Sequence, residues 1–274
     1  MLLEISHHYQ TLIDDLQNDW TVELKDLNNA PFEIDTDSNT IFIHSYGLHH
    51  NRLMQSDYFR PQFLLNMVEA LRMAKQTESL EDIIHRYQPN QIMLLARVCA
   101  ADAITQKISF AWDAKLEDDN SLWKYLLCSD ISDVALAFAT SLEKLLTTGH
   151  DIDNAYQKSM VAGFNQWFAS QDRQKQCDYD TLNMMDDMIA DNVIFRTQSL
   201  DKNIILFVSS LIGEQKTYLD DDFIEDVLNN PYYASCHDEI NQIHFMQIIN
   251  EMNKINVGGL VFQDPNLAAR FTIH

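Results

Sequence analysis

The chain has 274 residues, 46% of them hydrophobic, with 6 Gly, 5 Pro and a formal net charge of −22. Such a length can bury a substantial core and the hydrophobic content excludes a disordered chain, while so few glycines exclude a fold built on many tight turns. The strongly negative charge repels phosphate backbones and anionic lipid, which argues against direct nucleic-acid or membrane-surface binding.

In chain order, Leu2, Ile5, Tyr9, Leu12, Ile13 and Leu16 recur at helical spacing. The first residues lack a basic stretch and a small-residue cleavage pattern, so no secretory leader is expected and the cytoplasm is the default location. Residues 20–25 (WTVELK) alternate, and residues 40–44 (TIFIH) are β-branched and aromatic. With the polar turn 35–39 between them, they predict a small antiparallel β element within 20–45.

From Arg60 onward the text is helical. Pro61 suits a first turn, and the pattern runs to about Thr77. Ser79 and Asp82 suggest a capping box for a short helix over 80–87. Pro89 opens a long helix with Ile92, Leu95, Ala96, Cys99, Ala103 and Ile104 on one side. Asp130 or Ser132 can cap a helix through Leu146 that Gly149 closes, and Asp151 caps the next, to about Phe168. Further helices are expected near 178–190, 199–212, 219–229 and 237–254, with a break at Pro231 and an extended tail over 257–274. The longest apolar run, Ile204 to Ile212, is interrupted by Ser209 and Ser210 and is too short to cross a bilayer. With no repeat and no linker rich in Pro, Gly or Ser, residues 1–274 read as a single mainly α, bundle-like domain.

Several chemistries are absent. Cys99, Cys128, Cys177 and Cys236 form no C-x-x-C motif, and the first two sit in apolar helical patterns that predict core positions. A phosphate cradle needs clustered glycines, and the only adjacent pair is Gly258-Gly259. There is no G-x-S-x-G elbow, no calcium loop and no intact H-E-x-x-H.

Two stretches remain that could carry chemistry. Residues 44–76 give a strand, a polar loop and a helix with Glu69 inside an apolar run. The long helix carries Arg97-Val98-Cys99-Ala100-Ala101-Asp102-Ala103. With Phe110-Ala111-Trp112, Leu122-Trp123, Gln166-Trp167-Phe168 and Tyr179-Asp180, this text resembles a bacterial family of metallopeptidase-like proteins of unknown function, over roughly residues 40–200.

The resemblance implies a zincin-like core on the helix pair within 60–115. In such peptidases two His at i and i+4 hold zinc, a Glu after the first activates the bound water, and gluzincins add a Glu ligand from a later helix. Here Val68-Glu69-Ala70-Leu71-Arg72 would stand at the paired-His motif and Ala100 at the later ligand. Glu69 survives as a remnant of the catalytic acid. Val and Ala have no donor atom and Arg is always cationic, so no metal is expected at these positions. Arg72 is expected to neutralise Glu69 or Asp102, and Asp102 could instead be satisfied by Arg97. Arg72, Gln76, Arg97 and Asp102 are the candidate pocket residues.

Histidines offer an alternative. His44, His49 and His50, with Asp57, could hold zinc in a different arrangement. His7-His8 reads as a solvated face, and His237, Asn241 and His244 share one side of the last helix.

Three functions follow. The first is a catalytically inactive metallopeptidase-like scaffold that binds an unknown protein or small ligand. The second is an active metal-dependent hydrolase drawing on His44, His49, His50, Glu69 and Asp102. The third is an acidic protein that mimics nucleic acid toward basic partners, although its acids lie in scattered clusters such as Asp220-Asp221-Asp222 and Glu117-Asp118-Asp119.

Overall fold

A computed structural model describes residues 20–28, 30–191, 193, 195, 198–210, 217–252, 254–257 and 260–262. The expected N-terminal helix over 2–16, with His7-His8, and the tail beyond 262 lie outside the described residues. The protein is mainly helical, with a small sheet near the N-terminus. Among the described residues no helix is long and apolar enough to cross a membrane.

The sheet comprises β1 (Thr21–Lys25), β2 (Phe32–Asp35) and β3 (Thr40–His44), in the order β1-β3-β2. The antiparallel pair is β2 with β3, joined through the turn at 36–39, whereas β1 runs parallel to β3. The two expected strands therefore pair the other way round, because the unforeseen β2 supplies the hairpin. Ile41 and Ile43 of central β3 are fully buried, and β2 and β3 pack on the long helix over Phe59–Leu80.

After the short α1 (His50–Met54) come α2 (Phe59–Leu80) and α3 (Pro89–Leu116). Pro89 sits in the first turn of α3, where its missing N–H costs nothing. Helix α2 overruns its expected end: the Ser79 hydroxyl donates back to the Lys75 carbonyl instead of capping, and only a 3-10 turn at Ile84–Arg86 follows. Both long helices are buried on most of their faces, several polar side chains included. Helix α3 is the axis of the fold.

Around α3 pack α4 (Asn120–Leu127), α5 (Ser132–Thr147), α6 (Ile152–Trp167), α7 (Gln171–Ala190), α8 (Lys202–Val208) and α10 (Pro231–Ala234). Helix α9 (Asp221–Asn229) packs on α8 and α10, and α11 (Glu239–Met252) on α7. Strands β4 (Ile255–Val257) and β5 (Leu260–Phe262) form a separate antiparallel pair.

Acidic side chains start several of these helices. Asp119, Asp151, Asp201 and Asp220 each accept a backbone N–H in a first turn, which satisfies orphan donors and suits the positive helix end. Gly149, with φ +86°, ends α5 where a Cβ would be strained. Neither Asp130 nor Ser132 caps α5: the cap position is Ile131, and Ser132 is the first helical residue. Cys99 packs against the core, but Cys128 follows the end of α4 and is exposed, so its core assignment is corrected.

Candidate functional site

Asp102 lies on the buried length of α3 and gathers donors from α2 and from the segment after α8. Arg72 Nε of α2 donates to its Oδ2 at 2.6 Å, and Gln76 Nε2, one turn further along α2, donates to the same oxygen at 2.8 Å. The Tyr218 hydroxyl donates to Oδ1 at 2.9 Å. Spacing i, i+4 puts Arg72 and Gln76 on one face of α2, stacked toward α3.

Arg72 also reaches out of the helix pair. Its Nη2 donates to the carbonyls of Val208 at 2.8 Å and Ser210 at 2.9 Å, where α8 ends. A helix C-terminus leaves carbonyls without intrahelical partners and carries partial negative charge, so a guanidinium suits it twice over. Burial works against the Arg72 charge, but the Asp102 carboxylate more than offsets this and its pKa is raised. Burial pushes the Asp102 carboxyl up, against the pull of Arg72 and the Tyr218 hydroxyl. Burial beside that carboxylate drives the Tyr218 phenol well above its ordinary range, so it remains a donor. Gln76 Oε1 is buried with no hydrogen-bond partner among the described residues.

The other pocket candidates go elsewhere. Arg97 is fully buried on α3 and forks onto Asp178 of α7, with Nε and Nη2 each 2.7 Å from a carboxylate oxygen. Its Nη1 donates to the Tyr233 carbonyl at 2.6 Å. Thus Asp102 takes Arg72 and not Arg97. Glu69 meets neither arginine: Lys107 Nζ of α3 donates to its Oε2 at 2.6 Å, in a partly buried pair. Arg72, Gln76 and Asp102 therefore form one cluster, and Arg97 and Glu69 belong to two separate contacts.

The histidines do not converge. His44 Nδ1 accepts the Leu27 N–H at 2.8 Å, which spends the ring nitrogen nearest the backbone. His49 and His50 are exposed at the start of α1. His244 meets Asp186 at 2.6 Å, Asn241 is buried and donates to the Lys175 carbonyl, and His237 precedes α11 and is exposed. Among the described residues no group of three or more His, Cys, Asp or Glu is arranged to hold a metal ion. Between β3 and α1, Tyr46 adopts a left-handed φ of +53°, stacks on Phe59 and accepts a hydrogen bond from Asn66, which pins this loop onto α2.

Sequence reasoning did not single out Tyr218, Asp178 or Lys107. For Asp178 a signal existed: Gln174, Asp178, Thr181, Leu182 and Met185 recur at helical spacing and are all buried, so the acid lies on the inner face of α7. Nothing local marks Tyr218, whose partner is 116 residues away.

Residues 46–212 match the putative metallopeptidase family (DUF6782), and the chain belongs to that family. No curated protein and no solved structure matches it. A metallopeptidase description implies a metal, and the side chains at the resembling positions do not suit one. Val68 and Ala100 present no donor atom, and Arg72 is a cation that donates from Nε to Asp102 and from Nη2 to two carbonyls.

Proposed function

We propose that this member of the metallopeptidase family is a catalytically inactive scaffold that works by binding an unknown protein or small ligand, without a metal cofactor. One observation carries the reading. Where the peptidase pattern calls for a zinc-binding His, Arg72 supplies a fixed positive charge, already neutralised by Asp102 and tied to the end of α8. A divalent cation beside that guanidinium would be repelled, and displacing the guanidinium would orphan a buried carboxylate. Glu69 is likewise engaged, its Oε2 accepting a hydrogen bond from the Lys107 ammonium at 2.6 Å.

Residues 1–274 are treated in this reading as one helical domain acting in the cytoplasm. The free cysteines among the described residues fit a reducing compartment. Direct nucleic-acid binding is not part of it, given the net charge of −22. Mimicry of nucleic acid is disfavoured because Asp119 and Asp220, from the two acid clusters, are used as helix caps.

The test is elemental analysis of the purified chain before and after zinc loading, combined with peptide hydrolysis assays of wild type and Glu69→Gln. The expected result is no stoichiometric metal and no activity that the substitution removes. Stoichiometric zinc with hydrolysis lost in Glu69→Gln would sink the reading and return attention to His44, His49 and His50 as ligands.

A further inference from the structure

We propose that the outward face of α11 is a docking site for an amphipathic helix of a partner protein, one whose apolar stripe is flanked by lysine or arginine. Helix α11 docks on α7 and turns Asn241 and Ile248 inward, where both are buried. Asn241 donates to the Lys175 carbonyl of α7 at 2.8 Å. The two inward residues stand seven apart, which marks one side of the helix. The opposite side carries Ile240, Ile243 and Met246, which are 69%, 63% and 58% exposed. Their spacing of three makes a continuous apolar ridge of roughly 9 Å at 1.5 Å per residue. Residues 240–250 include no Asp, Glu, Lys or Arg, in a chain of which 22% is charged. Large apolar side chains grouped on one solvent-facing side mark an interaction surface, whereas singly scattered ones do not.

The rim of that ridge is acidic. Glu239 is exposed one turn before Ile243, on the same face. On the α7 side, the Asp186 side chain is 53% exposed, and its Oδ2 lies 2.6 Å from Nε2 of His244. His244 stands one turn after Ile240, so this carboxylate borders the ridge. The nearby lysines are matched by acids of their own: Lys175 pairs with Asp238 at 2.7 Å, and Lys254 pairs with Glu251. What remains beside the ridge, among the described residues, is the carboxylates of Glu239 and Asp186, with the His244 imidazole between them and α7.

Those charges choose among occupants. A second copy of this chain would set the same carboxylates against each other, and an anionic lipid surface is repelled as well. A helix with basic residues on either side of its stripe places them opposite Glu239 and Asp186. Such a helix also satisfies its own backbone, which the side chains of this ridge could not do for an extended peptide. Side chains three apart form the kind of ridge that packs into the groove of a second helix, and unbranched Met246 adapts to the partner's shape.

This inference rests on the scaffold reading only in holding that the protein acts by binding, and the two fail separately. Zinc-dependent hydrolysis would sink that reading and leave the α11 face untouched. The test uses the full chain and a synthetic helix with a leucine stripe flanked by lysine, followed by calorimetry, with a glutamate-flanked twin as control. One variant, Ile240→Asn with Ile243→Asn, removes the ridge; a second, Glu239→Lys with Asp186→Lys, reverses the rim. All four sites are exposed, and an unchanged melting temperature confirms the fold. The lysine helix is expected to bind the wild type and the twin not to bind. The ridge variant is expected to lose about tenfold or more in affinity, as loss of central apolar anchors does. The rim variant is expected to exchange the preference and bind the twin. Equal affinity of the lysine helix for wild type and ridge variant would overturn the proposal, as would a rim variant that keeps the wild-type preference. So would a concentration-dependent dimer or phosphatidylglycerol vesicle binding that the ridge variant abolishes, or no binding by the wild type, as when another part of this chain covers the face.

Discussion

Arg97 and Asp102 lie one and a half turns apart on α3, and each meets a buried partner of opposite charge, but the two contacts are built differently. Asp178 receives both of its strong bonds from one residue, the forked guanidinium of Arg97, with the Cys236 thiol as a weak further donor. Asp102 divides its bonds among Arg72, Gln76 and Tyr218, contributed by α2 and by the segment after α8. The first contact joins α3 and α7 and, through Arg97 Nη1, reaches the Tyr233 carbonyl of α10. The second joins α2, α3 and the end of α8, because Arg72 Nη2 donates to the Val208 and Ser210 carbonyls. A forked pair concentrates the carboxylate's stabilisation in one side chain, whereas a distributed cluster spreads it over several donors.

Arg97→Ala is the sharpest way to probe that difference, and the largest loss is expected there. It strands a buried carboxylate with only a thiol near it, at a cost of about 3–5 kcal/mol. Chemical denaturation of wild type and variant reads this directly, and a loss under about 1 kcal/mol would mean that Asp178 is readily resolvated. Arg72→Ala leaves Asp102 its other donors, Gln76, Tyr218 and Gln106, so a smaller loss of about 2–3 kcal/mol is expected. Its location should differ more than its size. Hydrogen exchange is expected to speed up over 202–210 in Arg72→Ala and to stay unchanged there in Arg97→Ala. Equal exchange in the two variants would erase the distinction between a local and a distributed contact.

The residues of both contacts were partly legible in the sequence, and the part that was not has a physical cause. Helices α2 and α3 announce themselves through Pro61, Pro89 and long apolar stretches, and Asp151 and Gly149 punctuate the chain as capping chemistry requires. Arg72, Gln76, Arg97 and Asp102 stand out because charged and polar groups inside apolar helical text need partners. Which partner each takes is a property of the assembled fold. Arg97 finds Asp178 at a separation of 81 residues, and Arg72 finds a backbone carbonyl 136 residues away, contacts that no local period encodes. The four-residue β2 is too short to show an alternation, so the parallel pairing of β1 with β3 was hidden with it.

Tyr218→Phe sharpens the comparison from within the distributed cluster. It deletes a single hydroxyl donor to Asp102 and keeps the ring packing, so a loss of about 1.5–3 kcal/mol is expected, as for a hydrogen bond to a charged group. If Arg72→Ala and Tyr218→Phe share one network, the double variant should lose measurably less or more than the sum of the two single losses. Strict additivity in a denaturation cycle would mean that Asp102 serves two independent contacts and that the cluster is no more coupled than the Arg97 fork.

The smallest effect is expected at the surface counterpart of these pairs, where Arg173 forks onto Asp133 with both oxygens within 2.9 Å. Burial alone would raise the Asp133 carboxyl, but the hydrogen bonds from Arg173 and Gln166 hold it below its ordinary value of 3.8. A carboxylate with a lowered native pKa contributes stability that is fully present above the unfolded value and is lost as pH falls through the native one. The Asp133 side chain is 41% exposed, so solvent screens the pair and limits its contribution to about 1 kcal/mol or less. Asp133→Asn should therefore lower the urea midpoint slightly at neutral pH, and the two proteins should converge as the pH drops below 3.8. A gap that persists unchanged into acid would show that the Asp133 contribution is hydrogen-bond geometry and not charge. The same outcome would weaken the view that, here as in the buried pairs, it is the ionised carboxylate that Arg173 recognises.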